Sequence, residues 1–166
     1  MAETLGSLVD KLSIKNLRIW HLDEALEDEG TSVSKRQELQ AKRDLADSQR
    51  QELAKEIDGF LGAALRGEVR ICDEKIKMYT NTNVSSSEAI KALGKAVSEL
   101  ASRNIKLWHL EDEARRMDLP DAAIVETKRK IDTTNQERND LMDKVDEILL
   151  KHSTTTSRGG QQVGEY

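Results

Sequence analysis

Two segments of the chain carry a tryptophan followed directly by a histidine, with acidic side chains shortly after. The pairs are Trp20-His21 and Trp108-His109, and each histidine lies three residues before a carboxylate, Glu24 or Asp112. Residues three apart on a helix are neighbours, so each imidazole can hydrogen-bond its carboxylate. Imidazole and carboxylate are also ligands that divalent metal ions accept. The pattern therefore allows either a structural hydrogen bond or a metal site.

The favoured interpretation of the histidines is structural, because buried polar groups in proteins are normally paired. On this interpretation each histidine bonds to a carboxylate or to backbone, and no cofactor is predicted. The alternative is a divalent metal held by His21, Glu24, His109 and Asp112, with help from Glu52, Glu137 or Asp140. Such a set has some likeness to the Glu-x-x-His ligands of di-iron bundles, but the order of the residues is reversed.

A third interpretation is a pocket for a polar small molecule. Trp20 and Trp108 would form flat walls, although an aromatic side chain serves more often as a core anchor. An arginine would bind an anionic group of the ligand. The candidate ligand-binding residues are Asn16, Trp20, His21, Arg50, Asn104, Trp108, His109, Arg138, Asn139 and Asp140.

The two Trp-His pairs belong to a longer internal repeat. At an offset of 88 residues, fifteen of the 61 aligned positions from Leu5 to Leu65 are identical, without a gap. Arg50 aligns with Arg138, and both stand where an apolar residue would be expected. We interpret the pattern as a tandem duplication.

Composition and apolar spacing predict an all-α protein. One proline, 34% charged residues and 3% aromatic residues favour helices over sheets. Apolar residues recur at helical spacing through both repeats. Two hairpins in tandem predict a four-helix bundle. Expected N-terminal signals are Thr4 or Ser7 for the first helix, Ser34 with Gln37 for the second, and Ser85 with Glu88 for the third.

The domain organisation follows from the repeat. We predict a single helical domain over residues 1–152, with repeats at 5–65 and 88–152 and a connecting segment at 66–87. The second helix either continues to Met78 or breaks near Gly67, and the spacing leaves both open. Residues 153–166 are polar and glycine-rich, which is typical of a disordered tail.

The relative position of the two Trp-His pairs depends on that connection. An up-down-up-down bundle brings them to a similar level on diagonal helices, whereas a long second helix separates them or lets them meet only in a dimer. Arg50 is expected level with Leu12, roughly 12 Å along the hairpin from Trp20. From there it could reach carboxylates of the other repeat.

Charge and composition narrow the class of partner. A net charge of −5 argues against nucleic-acid binding, which depends on surplus Lys and Arg. No apolar run of 18 residues is present, so no membrane span is expected. The lone Cys72 and the acidic, non-apolar N-terminus favour a cytoplasmic protein.

The second repeat resembles a bacterial all-helical family of unknown function. The resemblance rests on residues 106–116, 130–132 and 135–141, where a Trp-His pair is followed by acids and arginines and then by Asn-Gln-x-Arg-Asn-Asp-Leu. It spans Asn104 to Asp143 and is thinner in the first repeat, where Gln49-Arg50-Gln51-Glu52 replaces the motif. The family is associated with gene neighbourhoods for glycosyltransferases and surface polysaccharides, which implies a cytoplasmic accessory role.

These observations favour a non-enzymatic binding or scaffold protein, accessory to surface-polysaccharide biosynthesis. Its partner would be another protein or a second copy in a homodimer, with a polar small molecule as a further ligand. No nucleophile with a neighbouring base can be recognised, since Cys72 has no histidine nearby in the sequence. The alternative is a metal-dependent or nucleotide-sugar-handling enzyme that uses the duplicated His and acidic residues.

Overall fold

A computed structural model of the chain describes residues 3–72 and 86–159. Within these ranges the protein has four α-helices and no β-strand, so the predicted all-α class and the two helical hairpins are confirmed. None of the described helices is both long and apolar enough to cross a membrane. The helices are α1 (Leu5–Glu27), α2 (Val33–Leu65), α3 (Leu93–Ala114) and α4 (Asp121–Gly159).

The first two helices begin at hydroxyl caps. The Thr4 side chain accepts a hydrogen bond from the Ser7 amide. Of the two predicted caps, Thr4 and Ser7, the observed one is therefore Thr4. For α2 the predicted capping box at Ser34 is wrong, because the cap is Ser32, which accepts from the Lys35 amide. The turn between α1 and α2 leaves Ser32 with an extended backbone, so its hydroxyl reaches the free amides first.

The second helix ends near Gly67 and does not continue to Met78, so the second of the two predicted possibilities is the one observed. It ends at Leu65, and Gly67 has a positive φ of 74°, a conformation that glycine adopts without steric cost. Residues 73–85, including Ser85, lie outside the described residues. The predicted capping box of Ser85 with Glu88 does not begin the third helix, since Glu88 lies in a turn and α3 begins at Leu93.

The fourth helix begins directly after Pro120 and is longer than predicted. Pro120 accepts hydrogen bonds from the amides of Ala123 and Ile124. At the other end, the hydroxyls of Ser153 and Thr154 donate to the carbonyl of Leu150. The helix continues to Gly159, past the point where the tail was expected to begin, and residues 160–166 lie outside the described residues.

The two hairpins repeat one of their internal contacts. Lys15 Nζ donates to Gln49 Oε1 at 2.5 Å, and Arg103 Nε donates to Glu137 Oε2 at 2.6 Å. These pairs are related by the 88-residue offset and join α1 to α2 and α3 to α4. The same register therefore holds in both hairpins. Within the described residues, α1 contacts each of the other three helices and so links the hairpins.

Apolar clusters hold the two ends of the fold. All four helices contribute to the larger cluster, whose buried members are Leu5, Ala64, Ile71, Ala96, Val145, Ile148 and Leu149. The smaller cluster lies at the turn of the second hairpin and consists of Leu107, Leu110 and Ile131. Burial of apolar surface fixes all four helices at one end of the bundle and α3 against α4 at the other.

Helix α1 approaches α4 most closely at Gly6. A Cβ atom at this position would lie 2.2 Å from the carbonyl oxygen of Met142, far inside van der Waals contact. The Gly6 amide also donates to the buried Asp146 Oδ1 at 2.7 Å. Asp146 thereby satisfies an amide of the first turn of α1. Because Gly6 has no side chain, the two helices can pack at this short distance.

We expect Gly6→Ala to lower the free energy of unfolding by about 2 kcal/mol or more, because the methyl group must displace backbone of α4. Gly94 is the repeat equivalent, and a Cβ there would meet nothing within 4 Å. Gly94→Ala should therefore leave stability unchanged or raise it by up to about 1 kcal/mol through helix propensity. Urea unfolding of the two variants, followed by circular dichroism, measures both changes in the free energy of unfolding. Equal effects of the two variants would contradict the close approach.

Candidate functional site

A cavity of about 240 Å³ opens where α1 packs against the second hairpin. Its walls come from three helices, α1, α3 and α4, so both repeats are needed to form it. The lining residues are Ile14, Leu17, Asn104, Leu107, Trp108, Glu111, Arg115 and Arg138. They combine apolar side chains with a few polar groups, which is the usual character of a small-molecule site.

A buried carboxylate lies beside the cavity. Asp10 of α1 is buried, and its Oδ1 accepts a hydrogen bond of 2.9 Å from Nδ2 of the buried Asn104. The same oxygen lies 3.8 Å from Nε of Arg138. A buried carboxylate is costly unless hydrogen bonds and an opposite charge surround it. Asn104 and Arg138 supply both, and in doing so they connect α1 to α3 and α4.

Arg138 retains hydrogen-bonding capacity. Its Nε is buried and makes no hydrogen bond, since 3.8 Å is an ion-pair distance that is too long for one. The side chain is 27% exposed and lines the cavity. A guanidinium group presents five N–H donors in a plane and binds carboxylate or phosphate through two of them. The cavity therefore has a cationic donor group on one wall.

Trp108 forms a second wall, and a histidine of the other repeat covers one of its faces. The His21 ring stacks on the Trp108 ring with centroids 4.3 Å apart and planes 6° from parallel. His21 Nδ1 and Glu24 Oε2 are 2.8 Å apart, so the carboxylate orients the imidazole. The two Trp-His segments do converge, as expected for an up-down-up-down bundle whose second helix ends early. The ring contact between them is the stack of His21 from the first repeat on Trp108 from the second.

The mouth of the cavity carries charges of both signs. Arg115 is exposed, and its guanidinium lies 3.2 Å from Asp112 Oδ1 and 3.9 Å from Glu111 Oε2. Both arginines of the cavity thus have a carboxylate nearby. Arg115 is held only at the surface, where ion pairs are weak, so it can turn toward a ligand at little cost.

Several residues proposed from the sequence lie elsewhere. Arg50 pairs with Asp47 of its own helix at 2.6 Å and does not line the cavity. Asn16, Trp20 and His109 are exposed, although their repeat equivalents or partners take part in the site. Asn139 and Asp140 are half-buried on α4 next to Arg138, outside the lining set.

The proposed metal ligands are only partly brought together. His21 and Glu24 are in contact, whereas His109 is exposed and Asp112 bonds to Arg115. Glu137, a further candidate, accepts from Arg103. Within residues 3–72 and 86–159, no three His, Cys, Asp or Glu side chains form a group that could hold a metal ion.

Six residues of the site were not among the candidates, namely Asp10, Ile14, Leu17, Leu107, Glu111 and Arg115. Asp10 did leave a signal, because it follows Leu8 and Val9 and precedes Leu12 in the most apolar part of α1. A carboxylate in such a stripe requires a buried partner. Ile14 and Leu17 carried no signal that separates them from ordinary core residues.

The fold and the site define an all-helical protein of two similar hairpins, with a small cavity of mixed apolar and polar lining between them. The chain matches the family described as a protein of unknown function (DUF4254) over residues 1–72 and 94–163, and it belongs to this family. The resemblance to a family of unknown function is thus confirmed. No curated protein and no solved structure matches the chain.

The hydrogen bond between Asn104 and Asp10 predicts unequal effects of one substitution at two repeat-equivalent positions. Asn104→Ala removes the donor to a buried carboxylate and should lower the free energy of unfolding by about 2 kcal/mol. Asn16→Ala should change it by less than about 0.5 kcal/mol, because Asn16 is exposed. Chemical denaturation of the two variants beside the unmodified protein tests this. Equal losses of unfolding free energy in the two variants would show that the hydrogen bond from Asn104 to Asp10 does not stabilise the protein.

Proposed function

We propose that this protein is a non-enzymatic binding protein whose cavity between the hairpins takes a small anion that carries a planar apolar group. The observation that carries the proposal is Arg138, whose buried Nε lacks a hydrogen bond although the side chain lines the cavity. A carboxylate or phosphate placed there would complete the hydrogen bonding of the guanidinium.

The remaining lining residues support the planar group. Trp108 contributes an aromatic wall, and Ile14, Leu17 and Leu107 contribute apolar surface. A flat ring can bury its faces against such residues while its anionic substituent reaches Arg138. A volume of about 240 Å³ fits a single substituted ring and is small for a whole nucleotide sugar. Glu111 and Asp10 disfavour ligands with several negative charges.

The cellular role that we propose is accessory. The family resemblance supports a cytoplasmic protein that works with the machinery of surface-polysaccharide biosynthesis, as a binding or scaffold component. Binding between two hairpins suits such a role, because a ligand that contacts α1, α3 and α4 stabilises their association by mass action. The ligand state of the cavity would then alter the surface that the hairpins offer to a protein partner.

Isothermal titration with benzoate, phenyl phosphate and inorganic phosphate tests the cavity. We expect the two aromatic anions to bind with dissociation constants on the order of 1 mM or lower, and inorganic phosphate to bind more weakly. Arg138→Gln should weaken aromatic-anion binding at least about tenfold, since it removes charged hydrogen-bond donors. Arg50→Gln is the matched control, because Arg50 is the repeat equivalent and lies outside the cavity.

Two results would contradict the proposal. One is that neither aromatic anion binds to a protein shown to be folded by circular dichroism. The other is that Arg138→Gln and Arg50→Gln bind the anions equally well. Because Arg138 also faces Asp10, the thermal stability of each variant must be measured alongside, so that loss of binding is separated from loss of fold.

The second candidate function is a metal-dependent or nucleotide-sugar-handling enzyme. The contact of His21 with Glu24 beside Trp108 favours it, since an oriented imidazole next to a cavity is suited to metal binding or proton transfer. Elemental analysis of untagged protein, with His21→Ala/His109→Ala beside it, distinguishes the two functions. Near-stoichiometric metal that is lost in the variant supports the enzyme, and UDP-glucose hydrolysis would then be assayed.

A further inference from the structure

An apolar groove runs along the surface between α1 and α3. Its lining residues are Val9, Leu12, Ser13, Asn16, Leu17, Trp20, Val97, Ala101 and Ile105, and none of them is charged. In a chain with 34% charged residues this is an unusual stretch of surface. Trp20 is 65% exposed and Ile105 is also exposed. Exposed tryptophan in an uncharged groove is typical of a protein interface.

The internal repeat indicates what covers this tryptophan. Trp20 is equivalent to Trp108, and the ring of Trp108 is stacked on His21 from the other repeat. The corresponding stack of Trp20 would require His109, but both side chains are exposed within the chain. His109 lies four residues after Ile105 and therefore shares the groove side of α3. The chain thus makes one of the two stacks that its repeat allows.

We propose that two copies of the chain associate through the α1/α3 groove, about a two-fold axis parallel to these helices. Such an axis places α1 of each copy against α3 of the other, in the same direction and at the same level. Trp20 of one copy then stacks on His109 of the second copy, and the contact occurs twice. The carboxylate of Glu27 lies beside Trp20, where it favours the approaching imidazole, whereas Asp23 is already paired with Arg43.

The size of the face is adequate for a dimer. Helix α3 has 22 residues, which corresponds to a length of about 33 Å. Two helices side by side, each about 10 Å wide, give a projected face on the order of 660 Å², and the corrugated surface is larger. Stable interfaces bury about 800 Å² on each partner. The whole α1/α3 face therefore approaches the extent of a stable interface, and the groove gives it an uncharged floor and an aromatic anchor.

Sedimentation equilibrium of the full chain tests the association. We expect a monomer–dimer equilibrium, with Trp20→Gln weakening it at least about tenfold, because a tryptophan that becomes buried contributes strongly to such interfaces. Leu45→Gln is the matched control, since Leu45 is 61% exposed on α2 and lies outside the groove. Folding of each variant is checked by circular dichroism. A monomer at every concentration up to about 1 mM, or equal dimerisation of both variants, overturns the proposal.

The orientation of the two copies is tested by cross-linking. Ser13 and Ala101 both line the groove and are related by the 88-residue offset. In a Cys72→Ser background, chains with Ser13→Cys are mixed with chains carrying Ala101→Cys and treated with a short bismaleimide. The parallel axis predicts covalent dimers mainly in the mixture. Efficient linkage of Ser13→Cys chains to one another would show that α1 faces α1, which overturns the proposed geometry.

Discussion

The carboxylate of Asp10 is the constraint on which the middle of this fold depends. It is buried in the apolar stripe of α1, so it requires a donor and a counter-charge from neighbouring helices. Asn104 of α3 and Arg138 of α4 provide them, and they thereby fix how the first hairpin lies on the second. Since Asp10 draws Arg138 inward without a full hydrogen bond, the same contact leaves a guanidinium available at the cavity wall.

The packing at the ends makes that arrangement possible. Gly6 lets the backbone of α1 approach α4, and the four-helix apolar cluster holds this end together. One helical turn further along α1, Asp10 comes within reach of both partners, and beyond it His21 meets Trp108. A close approach, a buried polar contact and an aromatic stack thus follow one another along α1. Each joins the first repeat to the second, so the cavity belongs to neither hairpin alone.

Helical periodicity and the 88-residue repeat were enough to predict the fold class and the two hairpins. They left open whether the Trp-His segments converge, because that depends on where α2 ends. The repeat could not predict which residue of each repeat-equivalent pair lies in the cavity and which is exposed. Asn16 and Asn104 look identical in the alignment, yet one is exposed and the other buried. The difference arises from Asp10, whose equivalent is Ser98, a position that the repeat does not preserve. The predicted cap of α2 was Ser34 and the observed cap is Ser32, because the backbone of the preceding turn decides which hydroxyl can reach the free amides. The predicted capping box of Ser85 with Glu88 was also wrong, because α3 begins after Ala92, which provides no side-chain cap.

The pair Asp10 and Ser98 also bears on how such a site arises. If two identical hairpins associated as separate chains, every residue would occur twice, and a carboxylate at the Asp10 position would appear on both sides of the symmetry axis. Joining the hairpins in one polypeptide removes that requirement, so one copy can carry the acid and the other a small hydroxyl. Two hairpins in one polypeptide can therefore form a single asymmetric cavity, whereas a symmetric assembly of two identical hairpins would contain two identical ones.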